Sequence, residues 1–208
     1  MFETLKPDNY EKVCAGLVER LGRANLSALA PGLGAEIREN LLCFDFFNVP
    51  MRVGGDGVRR ADGGEEKDFM TRIILSHYVL QQGTAPLEGE WVSYREFRDA
   101  ALFMHYFQGQ VEGRISSTFE GRINELTASI RVLNGNPYDG VGTGDLCCMI
   151  PALPKVPLIL IFWDGDDDFP ASTRILFDRG AHAYLDMECL AVLGHVLALR
   201  LVAAADRL

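Results

Sequence analysis

Apolar positions along the chain switch between a spacing of three and four, which marks a helix face, and strict alternation, which marks a half-buried strand. Tyr10, Val13, Cys14, Leu17 and Leu21 recur at helical spacing behind Pro7 and stop at Gly22, predicting a helix over 7–22. From Ile37 the period drops to two. Leu42, Phe44 and Phe46 alternate, then Val49, Met51 and Val53, with Gly54-Gly55-Asp56-Gly57 as turn chemistry and Val58 to Ala61 as a third short strand. A small antiparallel meander over 37–61 follows, with Pro50 expected at an edge or bulge, where a missing N–H costs least.

The helical period returns over 66–82, where Phe69, Ile73, His77 and Leu80 share a face that Met70, Ile74 and Tyr78 widen. Glu65 and Glu66 open this helix, Gly83 closes it, and His77 points towards the core. Ser93 followed by Glu96 is a capping box that starts a short helix towards His105, Tyr106 and Phe107. Ile115, Phe119, Ile123, Leu126, Ile130 and Leu133 predict one long helix over 114–133, ended by Asn134-Gly135-Asn136-Pro137. Leu146 to Ile150 reads as a strand. Val156 to Trp163 is an apolar run too short for an ordinary helix, so it is expected to be a fully buried strand with Thr173 to Phe177 as hairpin partner. Asp186 then caps a long helix beginning at Met187. These elements predict an α+β fold: an antiparallel or mixed sheet of about five or six strands packed against three main helices at 66–82, 114–133 and 187–205. The helix 7–22 and the meander pack on that 66–205 core, giving one domain over 1–208.

Composition narrows the classes. The 208 residues are 48% hydrophobic and 24% charged, enough for a real core. A net charge of -9 argues against a nucleic-acid binder, which needs clustered Lys and Arg. A charged start followed by an apolar run is missing at the N-terminus, so a cytoplasmic protein without a secretory signal is expected. Glu188, His195 and Arg200 within 187–205 favour a buried helix over a membrane span. The five cysteines form no CxxC pair, which disfavours a disulfide framework or a zinc ribbon. Cys147 and Cys148 must face opposite sides of their strand, leaving one free to join His182 or Cys189 at a metal.

Two stretches carry candidate chemistry. Asp164-Gly165-Asp166-Asp167-Asp168 places four carboxylates in five positions, and Asp164, Asp166 and Asp168 are the candidate ligands for a divalent cation. An EF-hand is excluded because Phe169 stands where glycine is required and Ile175 where the bidentate glutamate belongs. The alternative is a solvated turn that blunts a sheet edge. Trp91, Tyr94, Arg95, His105, Tyr106 and Trp163 are the candidate cofactor-binding residues, expected to form one pocket rim with the acidic loop. The glycine-rich stretch Asp139 to Asp145 leads into a strand rather than a helix, so it reads as a flexible turn and not a phosphate cradle.

GEWVSYREF at 89–97, PALPKVPLILIFWDGDDDFPASTRILFD at 151–178 and AYLDMECLAVLG at 183–194 resemble, in that order, a family of uncharacterised domains found mainly in anaerobic bacteria and archaea. Members of that family are sometimes joined to a four-cysteine iron–sulfur module like that of corrinoid proteins, and this chain lacks the clustered cysteines of such a module. The resemblance implies an anaerobic, redox- or cofactor-linked setting and no more; the cofactor stays open, with a divalent metal and a corrinoid-type tetrapyrrole as the candidates. Three functions stay open: a soluble cofactor- or metal-associated binding or accessory protein; a metal-assisted hydrolase in which the acidic loop holds a cation and His105 or His182 moves a proton; and a non-catalytic interaction module whose acidic rim docks a protein partner. The oligomeric state is left open.

Overall fold

The structure is a computed structural model that describes residues 7–207. The stretch before Pro7, on which the expectation of no secretory leader rests, lies outside the described residues.

Helix α1 (Pro7–Gly22) buries Tyr10, Cys14, Leu17 and Leu21 and leads into α2 (Leu26–Leu33), which Gly34 closes in a left-handed conformation. The meander follows as β1 (Glu36–Arg38), β2 (Leu41–Phe46), β3 (Val49–Gly54) and β4 (Gly57–Arg60), an antiparallel four-stranded sheet in that order. Its period of two holds: Leu42 pairs with Val53 and Phe44 with Met51 on the buried face, while Cys43 and Asp45 look outwards. Pro50 is exposed opposite Asp45, one residue beyond the last β3–β4 pair, Met51 with Arg60. The β2–β3 turn, Phe47-Asn48, is left-handed at both residues, with φ of 48° and 63°. A buried phenylalanine is costly there. It is held because the Phe47 N–H donates to Ala152 O at 3.0 Å, tying the meander to the second sheet, while Arg200 lies over the rings of Phe46 and Phe47.

The second sheet is fed by α3 (Phe69–Leu80), β5 (Trp91–Ser93), α4 (Met104–Phe107), α5 (Arg114–Phe119), α6 (Ile123–Val132) and β6 (Asn136–Pro137), then β7 (Leu146–Leu153), β8 (Val156–Trp163), β9 (Ser172–Asp178) and α7 (Met187–Ala205). It has five strands in the order β5-β9-β8-β7-β6, and every pairing is antiparallel. The class is therefore α+β as expected, but with two antiparallel sheets in place of one. The two meet where β2 packs on β7.

Two helix boundaries differ from expectation. The segment 114–133 is broken at Glu120-Gly121-Arg122, with Gly121 left-handed at φ 69°, and α4 runs into α5 through a wider π-helical turn at Gln108–Gly113. The apolar period survives the break because Ile115 and Phe119 before it, and Leu126 and Ile130 after it, bury in the same core. Helix α3 begins at Phe69 rather than 66, since Asp68 is the residue whose carboxylate accepts the Thr71 N–H, at 2.9 Å.

At the centre runs α7, capped by Asp186 as expected, with Leu190, Leu193, Leu197 and Leu201 fully buried. Among the described residues it is the one helix long and apolar enough to cross a membrane, and 61% of its most apolar window is buried inside the fold.

Candidate functional site

The acidic loop is built by backbone N–H groups. Asp164 Oδ1 accepts from Gly121 N at 2.7 Å and from Gly165 N at 2.9 Å, which joins the loop to the break between α5 and α6. Asp166 Oδ1 accepts from Asp168 N and Phe169 N at 2.9 and 2.8 Å, a local turn that caps itself. Asp167 and Asp168 extend into solvent. Beside the loop, Glu120 accepts the Ala171 N–H and Glu112 the Ile175 N–H, at 3.0 and 3.1 Å. β5 pairs only with the end of β9 from Leu176 to Asp178, so these two glutamates satisfy part of the edge it leaves open. Burial pushes the Glu112 carboxyl up from the ordinary range, against the Ile175 N–H and nearby Arg174 and Arg95.

The expected aromatic rim is divided between two faces of the sheet and the surface. Trp91 and Trp163 lie half-buried on the outer face, in a cluster with Ile159, Ile161 and Leu176. The glycine-rich stretch crosses that face as a strap pinned by both indoles: Trp91 Nε1 donates to Tyr138 Oη at 3.1 Å and Trp163 Nε1 to Thr143 O at 2.7 Å. Gly144 is required where the strap touches the sheet, because a Cβ would stand 2.6 Å from the Ile161 side chain and 2.9 Å from Phe162 O. Tyr94 instead is buried on the inner face, stacked on Phe107 with centroids 4.3 Å apart, and its hydroxyl donates to Met187 O at 2.6 Å. Arg95 and His105 are exposed. Tyr106 pairs with His195, hydroxyl to Nδ1 at 2.6 Å. Among the predicted aromatic site residues, then, Trp91 and Trp163 share the outer cluster, while Tyr94 lies in the main core and Tyr106 packs against it. His182 and the adjacent cysteines are also apart: His182 Nδ1 meets Arg179 O, Cys147 lies under the strap and Cys148 is in the core.

Donor atoms of a metal-binding kind converge elsewhere. His77 in the last turn of α3, Asp186 at the N-cap of α7 and Cys189 in its first turn bring one nitrogen, one oxygen and one sulfur within 4.8 Å of one another. Among the described residues this is the one such trio of His, Cys, Asp or Glu. The cap geometry creates half of it: Asp186 Oδ1 accepts the Cys189 N–H at 2.8 Å, which sets the thiol beside the carboxylate. Tyr94 fixes this first turn from behind through Met187 O. The thiol is buried, and burial, then the charges of Asp186 and Glu188, push it far above the usual thiol range. Glu188 is also raised, by burial first and then by Asp186, with His77 opposing. Among the described residues the His77 ring makes no hydrogen bond, so a ring nitrogen is available to a ligand.

A family model described as a domain of unknown function, DUF3786, matches residues 25–200. The chain belongs to this family. No curated protein and no solved structure matches it. A tetrapyrrole does not fit the residues expected to hold one in this DUF3786 domain: Tyr94 is sealed in the core, the two tryptophans are occupied by the strap, and none of the six lines the open groove of about 560 Å³ between Gly34, Arg52 and Pro154. A single metal ion fits the trio. In the DUF3786 sequence the only trace of that trio is Asp186 followed three residues later by Cys189, a spacing that becomes informative once Asp186 is recognised as a cap.

Proposed function

We propose that this domain is a cytoplasmic metal-binding accessory protein that holds one divalent transition-metal ion through His77, Asp186 and Cys189. The observation that carries the reading is the convergence of three chemically different donors within 4.8 Å from two packed helices, α3 and α7. A sulfur, an imidazole and a carboxylate suit zinc and its borderline neighbours, whereas calcium and magnesium require all-oxygen shells. Thiolate ligation calls for a reducing compartment, in keeping with five free cysteines. What weighs against the acidic loop as the metal centre, and so against a hydrolase built on it, is that among the described residues Asp164, Asp166 and Asp168 do not bring three donor atoms together as the trio does.

The test is cobalt or zinc added to reduced, chelator-treated protein, with bound metal measured after desalting. One equivalent is expected in the wild type, with a thiolate-to-cobalt charge-transfer band. Cys189→Ser should remove the band and His77→Ala should weaken retention at least tenfold, by analogy with lost metal ligands. Asp164→Asn and Asp168→Asn should leave retention unchanged. A folded wild type that retains no metal, or one whose metal survives in the trio variants but not the loop variants, overturns the proposal.

A further inference from the structure

Resting on that reading, the geometry points to an ion that keeps one coordination position open to solvent, filled by water and exchangeable for a neutral donor in preference to an anion. Three arguments carry it. The first is the ligand count: zinc-class ions take at least four ligands, and among the described residues the protein supplies three. The second is the direction of exposure. Cys189 is 3% exposed and forms the floor, His77 is half-buried, and Asp186 is exposed, so the unfilled side faces outwards at the mouth rather than into the core.

The third is charge. A divalent ion held by one thiolate, one carboxylate and a neutral imidazole is already neutral, so a fourth anionic ligand would make the centre negative. An anion entering there meets the thiolate and the carboxylate already on the ion, while water or another neutral donor leaves the centre uncharged. A closed structural site would have four protein donors and no such preference.

Cobalt-loaded protein tests this. Its visible d–d bands are followed while imidazole, a neutral donor, and azide, an anion, are titrated separately at fixed ionic strength above neutral pH. Imidazole should shift the bands saturably, and azide should need about tenfold more ligand because it alone turns a neutral centre into an anion. Cobalt bound with bands that neither ligand moves means a closed site and overturns this inference alone. Azide binding as tightly as imidazole overturns the charge argument. Failure to bind cobalt at all overturns the metal reading itself and is distinguished by the absent charge-transfer band.

Discussion

The acidic loop and the α3–α7 trio both offer donors of a metal-binding kind, under opposite conditions. In the loop four carboxylates lie within five positions, yet among the described residues no three of them converge, since like charges repel and Asp164 and Asp166 are each tied to backbone N–H groups. In the trio the residues come from two helices far apart in sequence, and packing of α3 on α7 forces them together. The difference lies in what backbone each carboxylate serves. Asp178 marks the fully structural extreme: it is 1% exposed and accepts three backbone N–H groups, from Glu88, Gly89 and Gly180. Asp186 serves one N–H where Asp164 and Asp166 each serve two through a single oxygen, and what sets it apart is the imidazole and thiol brought beside it.

The largest expected effect is therefore at Asp178. Asp178→Ala would strand the N–H of buried Gly180 and release those of exposed Glu88 and Gly89, and at roughly 1–3 kcal/mol for each unsatisfied group, partly recovered by water at the exposed two, a loss of about 3 kcal/mol is expected in denaturant melts. A loss under about 1 kcal/mol would mean that the segment from Pro86 to Glu90 is not held by this carboxylate.

Next in size is metal linkage at the trio. Zinc at about a hundred times its dissociation constant should stabilise the wild type by roughly 2.7 kcal/mol, and Cys189→Ser should show none of that gain. Calcium or magnesium at the same excess should leave both melts unmoved. A calcium-dependent gain that disappears in Asp164→Asn would reverse the comparison, making the loop the metal site.

What was legible in the sequence follows the reach of each interaction. The Asp186 cap, the Ser93–Glu96 capping box and the buried strand Val156–Trp163 could be read because each depends on residues a few positions apart. The capping box nevertheless opens only a single turn, Tyr94–Glu96, before the chain leaves it at Phe97. The break at Gly121 could not be read: a glycine inside a sustained helical period looks tolerable until Asp164, from another hairpin, takes its N–H. The strap was hidden for the same reason, since its anchors Trp91 and Trp163 come from strands on two sides of it in sequence. Of the site, His77 was read as facing the core, and Asp186 as a cap. Nothing short of the α3–α7 packing joins them.

Glu112 lies between the two regimes, a carboxylate spent on the Ile175 N–H while partly desolvated. Glu112→Ala should cost about 1–3 kcal/mol through that orphaned donor. Glu112→Gln keeps an acceptor and removes the charge. Because burial raises this group's folded pKa, its favourable contribution is complete below the unfolded value and is lost as pH rises through the folded one. The stability of Glu112→Gln relative to the wild type should therefore increase from pH about 4 to pH about 7, using the ordinary glutamate range as the lower bound. A difference that is flat or falls across that window would show that the N–H bond outweighs burial.

The smallest effect separates the two readings of the loop itself. Asp167 is exposed and, among the described residues, makes no hydrogen bond, so its charge only adds to the repulsion from Asp164, Asp166 and Asp168. Asp167→Asn should leave stability unchanged or raise it, within about 0.5 kcal/mol, and any gain should shrink as salt screens the run. Asp166→Ala provides the contrast. It removes the acceptor of two N–H groups, so it should cost about 1 kcal/mol despite the repulsion it also relieves. If Asp167→Asn were instead the costlier change, and its cost grew in the presence of calcium, the free carboxylates would be gripping a cation and the loop could no longer be treated as a turn held by its own backbone.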